Sequence, residues 1–239
     1  MILITMAGLS SRFLKSGYKL PKYALDLKGI TIFEWAVRSF EHYFDSEHFV
    51  FVVRPDGFAK SFVENLIKRI GINSYDIFCL EHDTRGQAET AYLALKAYKE
   101  DFSITIFNID TIRYDYRKPE FLSGCDGYLE VFRGEGEHWS FVEPGLNASV
   151  IRTTEKERIS DLCSDGLYYF KSQLQFRRIF EEAIFANEQV KGEFYIAPLY
   201  NRLITEGGIV KYDVIRLGQI DFCGTPDEYE ALTKKKASE

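Results

Sequence analysis

The densest group of chemically able residues follows the first apolar run. Ile2-Leu3-Ile4-Thr5-Met6 gives way to Ala7-Gly8-Leu9-Ser10-Ser11-Arg12-Phe13, and Lys19-Leu20-Pro21-Lys22 follows closely. A turn of small residues after a strand lets backbone N–H groups face a phosphate chain. Arg12 adds a rigid fork of donors, and Lys22, held behind Pro21, adds a compact second positive charge. The loop is neither a GxxxxGK[ST] phosphate loop nor a dinucleotide GxGxxG turn, because its glycine positions differ. Asn108-Ile109-Asp110-Thr111 follows another apolar run and offers a carboxylate, the ligand type that Mg2+ takes. Asn108 and Asp110 could equally cap a turn. Gln87, between Gly86 and Ala88, has an amide able to read both a donor and an acceptor on a base edge. Glu155-Lys156 reads either as a phosphate-binding pair or as an exposed pair in the charged stretch 154–158. His42, His48, His82 and His138 are scattered and read as surface or structural residues.

The elements that must hold these residues show in the hydrophobic pattern. Strand-like runs at 2–6, 49–53, 76–80 and 103–107 alternate with helix-spaced segments at 31–44, 58–70 and 87–98. Thr31 is the expected cap of the first of these helices, and Gly71 the stop of the second. Such alternation predicts a doubly wound α/β fold with a mainly parallel sheet, whose strand C-termini share one ligand-binding edge. The second half is less regular. Strands are expected at 127–132, 139–142 and 149–152, and a helix at 172–187. No internal repeat or linker-like segment appears, so one domain spanning 1–239 is expected.

Composition narrows the classes of function. The 239 residues carry 30 Lys+Arg against 36 Asp+Glu, a net charge of -6, which disfavours non-specific nucleic-acid binding. With 20 Phe and 15 Tyr the chain can build a large core. No apolar run reaches membrane-spanning length, and the N-terminus lacks a basic region and cleavage site, so a cytoplasmic protein is expected. Cys79, Cys125, Cys163 and Cys223 are too widely spaced for a metal pair, and apolar neighbours at Phe78, Leu162 and Phe222 suggest buried thiols. Lys234-Lys235-Lys236 reads as a frayed, solvated tail.

Taken in order, the motifs resemble those of the sugar-phosphate nucleotidylyltransferases. Met6 to Phe13 with Pro21-Lys22 is similar to that family's Gly-x-Gly-x-Arg loop and downstream Pro-Lys, with Ser10 in place of the second Gly. Arg85 to Ala91, Asn108 to Thr111, Glu155-Lys156, Gly166 to Phe170, Gly192 to Tyr195 and Cys223 to Glu228 continue the resemblance over nearly the whole chain. Asn-x-Asp-Thr and Phe-Cys-Gly-Thr-Pro are most similar to the capsular-polysaccharide branch. The resemblance implies a Rossmann-like, glycosyltransferase-A-like mixed sheet, with a nucleotide-binding half at 1–120 and an acceptor-binding half at 121–239. It also implies Mg2+-dependent transfer of a cytidylyl group from CTP to a phosphorylated small molecule, with release of pyrophosphate, for capsular polysaccharide synthesis. Phosphoglutamine is among the acceptors it admits.

By the same resemblance, Arg12, Lys22 and Asp110 are the catalytic candidates. Ala7, Gly8, Leu9, Ser10, Ser11, Gly86, Gln87, Ala88 and Asn108 would contact the nucleotide. Trp139, Glu155, Lys156, Glu193 and Tyr195 would line the acceptor pocket, where Trp139-Ser140 departs from the small Gly of hexose-binding members. Asp110 and Asp221 are the metal candidates. At Asp221 the sequence departs from the family, because Phe222 stands at the usual position of the second metal Asp. In a strand, a one-residue shift turns a side chain to the opposite face. Three alternatives therefore stay open: a sugar-1-phosphate nucleotidylyltransferase using another nucleoside triphosphate, a metal-dependent glycosyltransferase of similar fold, and a nucleotide-binding module without catalysis.

Overall fold

The computed structural model describes residues 1–235. Four parallel strands form its N-terminal frame: β1 (Ile2–Thr5), β4 (Phe49–Val53), β5 (Tyr75–Cys79) and β6 (Ile104–Asn108). The short hairpin β2 (Asp26–Leu27) and β3 (Ile30–Thr31) lies outside that frame. Helices α1 (Ser11–Lys15), α2 (Ile32–Arg38), α3 (Phe58–Ile70) and α4 (Gln87–Leu95) connect these strands. Beyond β6 come β7 (Thr111–Arg113), β8 (Gly127–Arg133), β9 (Ser140–Pro144), β10 (Val150–Glu155) and β11 (Leu162–Phe170). The chain continues through α5 (Gln173–Phe185), α6 (Tyr200–Thr205), β12 (Val210–Ile215), β13 (Ile220–Phe222) and α7 (Pro226–Lys234). The main sheet runs β10-β9-β11-β6-β1-β4-β5, with β8 joining β11 to β12. Strand β11 enters antiparallel to β6, so the sheet is mixed beyond its parallel frame.

Period-two alternation decides which helices cover which face. Leu3, Val50 and Val52 pack with α4, α5 and α6. Ile2, Ile4, Phe49, Phe51 and Val53 pack with α2 and α3. A smaller cluster of Phe13, Leu25, Leu27, Ile32, Ile112, Cys223 and Leu232 ties the loop after β1 to β7, β13 and α7. That cluster joins the loop carrying Arg12 to the segments carrying Cys223 and α7.

Thr31 caps α2 in a capping box with Glu34, as the sequence predicts. The helix ends at Arg38, well before the expected 44: Ser39 keeps helical dihedrals but its polar groups serve another element, and Phe40 leaves the helical path (φ -110°, ψ 21°). The Ser39 hydroxyl accepts the Arg113 N–H at 2.9 Å and its carbonyl accepts that of Tyr116 at 3.2 Å. Cys163 and Cys223 are buried as expected, and so is Cys125, but Cys79 is exposed at the end of the edge strand β5. The expectation of a solvated lysine tail is corrected in part: Lys235 reaches back to Asp221 at 3.0 Å, whereas Lys236 lies outside the described residues. No helix among the described residues is long and apolar enough to cross a membrane.

Candidate active site

A cleft of about 720 Å³ opens at the carboxyl ends of β1, β4 and β6, the edge where a parallel sheet presents ligands. Its first wall is the loop after β1. Ser10 adopts a left-handed conformation (φ 50°), and its hydroxyl accepts the Lys22 N–H at 3.2 Å. The serine that replaces the expected small Gly therefore links the Arg12 loop to the Pro21-Lys22 arm. Lys22 then directs its ammonium to Asp110 Oδ2 at 2.6 Å. Asp110 is itself fixed by its backbone: its carbonyl accepts the Cys223 N–H at 2.8 Å, bringing the end of β13 against the end of β6. Burial pushes the Asp110 carboxyl up, but the Lys22 ammonium and, farther off, Arg12 overcome this and hold it below the usual range. Asp110 is thus an anion between two cations.

The second wall is the N-terminal turn of α4. The Gln87 amide donates to Thr5 Oγ1 at 3.2 Å and also to Asn108 Oδ1, locking one orientation of both amides. Gly86 holds φ 118°, and a Cβ there would lie 2.5 Å from the Phe194 carbonyl oxygen. This close approach joins α4 to the segment carrying Glu193 and Tyr195. Ala88 does not face the cleft as expected. It is fully buried in the core, and its N–H is taken by the Phe194 carbonyl at 3.2 Å, leaving nothing for a base edge.

On the opposite side, Ser140 donates to Glu155 Oε2 and lies 3.4 Å from the Tyr168 hydroxyl. Lys156 donates to the Tyr195 hydroxyl, sits 4.3 Å from that ring centroid and 3.8 Å from Glu155 Oε1. Burial raises the Glu155 carboxyl above its usual range, and Glu193 adds to this, although Ser140 and Lys156 oppose it. Of the two readings open for Glu155-Lys156, the exposed pair does not hold for Glu155, which is 8% exposed. Trp139 lies tilted against Phe222 at 4.9 Å and edge-on to Phe132 at 5.1 Å, forming an aromatic wall.

The structure gathers all the other candidates into this cleft: Ala7 to Arg12, Lys22, Gly86, Gln87, Asn108, Asp110, Trp139, Glu155, Lys156, Glu193 and Tyr195. Asp221 is the exception, and its expected place at the metal is corrected. It accepts the Tyr114 hydroxyl at 2.7 Å and pairs with Lys235, while its neighbour Phe222 takes the cleft-facing position. The antiparallel register of β13 with β7 fixes this choice of faces. His138, expected to be merely a surface residue, also lines the cleft beside Trp139.

Sequence reasoning missed Asp165 and Glu228, both of which line the cleft. Asp165 lies in an irregularity of β11, where pairing with β8 skips from Ser164 to Tyr168. Its carboxyl is pushed far up by burial and by the neighbouring Glu130, which Arg113 already engages through two hydrogen bonds. Glu228 falls within the Cys223 to Glu228 motif, which assigns it no role; in the structure it completes a capping box with Thr225. Among the described residues no group of three His, Cys, Asp or Glu side chains converges to hold a metal alone. Asp110 nevertheless fits an oxygen-liganded cation: it is ionised, fixed and open to the cleft, and beside it Gly224 leaves space that a Cβ would fill 3.1 Å from Asp110 Oδ2.

Comparison with solved structures gives a nucleoside-diphosphate-sugar pyrophosphorylase from Vibrio cholerae RC9, 44% identical, with a TM-score of 0.94 over 98% of this chain and 100% of that one. The chain belongs to this nucleotidyltransferase family. An inositol-1-phosphate CTP transferase from T. maritima shares the fold at 14% identity, with a TM-score of 0.74 over 100% and 97% of the two chains. A UDP-glucose pyrophosphorylase complexed with UDP-glucose shares it at 13% identity, with a TM-score of 0.76 over 97% and 96%. No protein-family profile matches the chain, and none of the curated proteins compared with it does either.

Proposed function

We propose that this nucleotidyltransferase moves a cytidylyl group from CTP to a phosphorylated small molecule and releases pyrophosphate. The observation that carries the proposal is the convergence in one cleft of Arg12, Lys22 and Asp110 with Gln87–Asn108 on one side and Glu155–Lys156–Tyr195 on the other. Residues 1–120 would serve the nucleotide, and those from 121 onward the acceptor.

In the reaction, an acceptor phosphate oxygen attacks the α-phosphorus, and the bond to the departing pyrophosphate breaks. No protein nucleophile is needed. Two polyanions must meet, at a cost of about 4 kcal/mol per unit-charge pair 4 Å apart at an effective dielectric near 20. Arg12 and Lys22 would offset that charge at the triphosphate, and Lys156 at the acceptor phosphate. Mg2+, held by Asp110, would supply further charge neutralisation on the phosphate oxygens. The Gln87 amide, oriented by Thr5 and Asn108, would read the base edge, and Gly8 to Ser11 would line the triphosphate with backbone N–H groups. Glu155 and Glu193 would accept hydroxyl or ammonium hydrogens of the acceptor. The aromatic wall of Trp139 and Phe222 fills space beside that pocket and favours an acceptor other than a plain hexose phosphate. Phosphoglutamine, with an ammonium for these carboxylates, is the first acceptor to try, and a role in capsular polysaccharide synthesis goes with that reading.

The test is pyrophosphate release with four nucleoside triphosphates against a panel of phospho-compounds. CTP should be turned over best, followed by UTP. A tenfold preference for ATP or GTP would sink the base assignment, and nucleotide binding without turnover on any acceptor would favour a binding module.

A further inference from the structure

We infer that Glu228 is the second carboxylate facing the cation held by Asp110, and that Gly224 is side-chain-free in order to keep the space between them open. This rests on the Mg2+ reading above. Asp221 cannot take that part, because its carboxylate is turned to Tyr114 and Lys235 on the far face of β13. Glu228 lines the cleft, one turn into α7, and its Oε2 accepts the Thr225 N–H at 2.9 Å. That bond fixes the Glu228 oxygen that also borders the space beside Gly224. Asp110 and Asp221 each have a lysine partner, whereas among the described residues Glu228 has none.

Gly224 supplies the independent observation. Its φ is not in the left-handed region, so the backbone does not require glycine there. What glycine provides is space: a Cβ would lie 3.1 Å from Asp110 Oδ2 and 3.5 Å from Glu228 Oε2. Both carboxylates therefore border the same small gap. Two carboxylates across such a gap repel one another, and Lys22 neutralises only Asp110. A divalent cation relieves that repulsion and suits an all-oxygen ligand set completed by water or phosphate. The helix N-terminus under Glu228 opposes a cation only weakly beside two carboxylates.

The experiment is Mn2+ binding followed by water-proton relaxation on the nucleotide-free protein, with thermal melting of every variant. Glu228→Gln keeps an oxygen to accept the Thr225 N–H, so α7 should stay capped while its charge is removed. Glu228→Gln and Gly224→Ala should each weaken Mn2+ binding by about tenfold or more, whereas Asp221→Asn should match the wild type. Unchanged Mn2+ binding in Glu228→Gln overturns the inference, as does a loss confined to Asp221→Asn. Wild-type protein that binds no Mn2+ overturns it together with the metal reading. A wrong base or acceptor leaves this measurement untouched, since neither is present.

Discussion

Asp110 and Asp165 are both carboxyls at the cleft, yet their surroundings drive them to opposite protonation states. Lys22 and Arg12 hold Asp110 ionised against the pull of burial. Burial and the Glu130 carboxylate push Asp165 well above the usual range, Arg113 opposing only in part because Glu130 engages it, and among the described residues the Asp165 Oδ2 has no hydrogen-bond partner. A raised carboxyl pKa binds its proton more tightly in the folded chain, so its contribution is fully present below the unfolded value near 3.8 and is lost as pH rises toward the folded one. Asp165→Asn removes that loss and can donate to Glu130. The variant should be more stable than the wild type at pH 7, by about 1–3 kcal/mol, with the difference vanishing toward pH 4. Urea denaturation across that range checks this, and a wild type as stable as the variant at pH 7 would contradict it.

At the scale of elements, the N-terminal frame was legible because β1, β4 and β6 are buried on both faces and read as short apolar runs, while their helices keep a 3.6-residue period. The sequence did not reveal the buried nine-residue β11, whose apolar run is broken by Ser164-Asp165-Gly166. Nor did it reveal β2, β3, β7, β12, β13, α1, α6 and α7, which are short or half-exposed and are defined by tertiary pairing rather than periodicity. The face of Asp221 could not be read for the same reason, since the pairing of β13 with β7 sets it. The irregularity in β11 is the clearest instance of an element shaped for the site. Gly166 there has φ 94°, and a Cβ would lie 2.2 Å from Asn108 Nδ2. Gly166→Ala should push Asn108 off Gln87, cost about 1–3 kcal/mol of stability from backbone strain and weaken nucleotide binding. Melting and nucleotide titration would check this; an unchanged nucleotide Kd would show that the Asn108–Gln87 contact does not organise the base site.

Across the whole molecule, the pairing of β6 with β11 joins the two sides of the cleft, and close contacts of Gly86 with Phe194, Asn108 with Gly166 and Asp110 with Cys223 add to it. The motifs that supply these contacts are far apart in the chain, and their order was legible where their contacts were not. If the sides divide the substrates as proposed, Lys156→Ala should raise the acceptor KM far more than the CTP KM. One lost charge-assisted bond corresponds to about 10–150-fold. Equal effects on both substrates would place Lys156 outside the acceptor side. The central claim is transfer of the α-phosphoryl unit, and isotope position reads it directly. With α-labelled CTP and a phospho-acceptor, label should appear in a cytidylylated product, while γ-label should leave only as pyrophosphate. Transfer of the γ-label to the acceptor, or label released from CTP at the same rate with and without acceptor, would contradict the account.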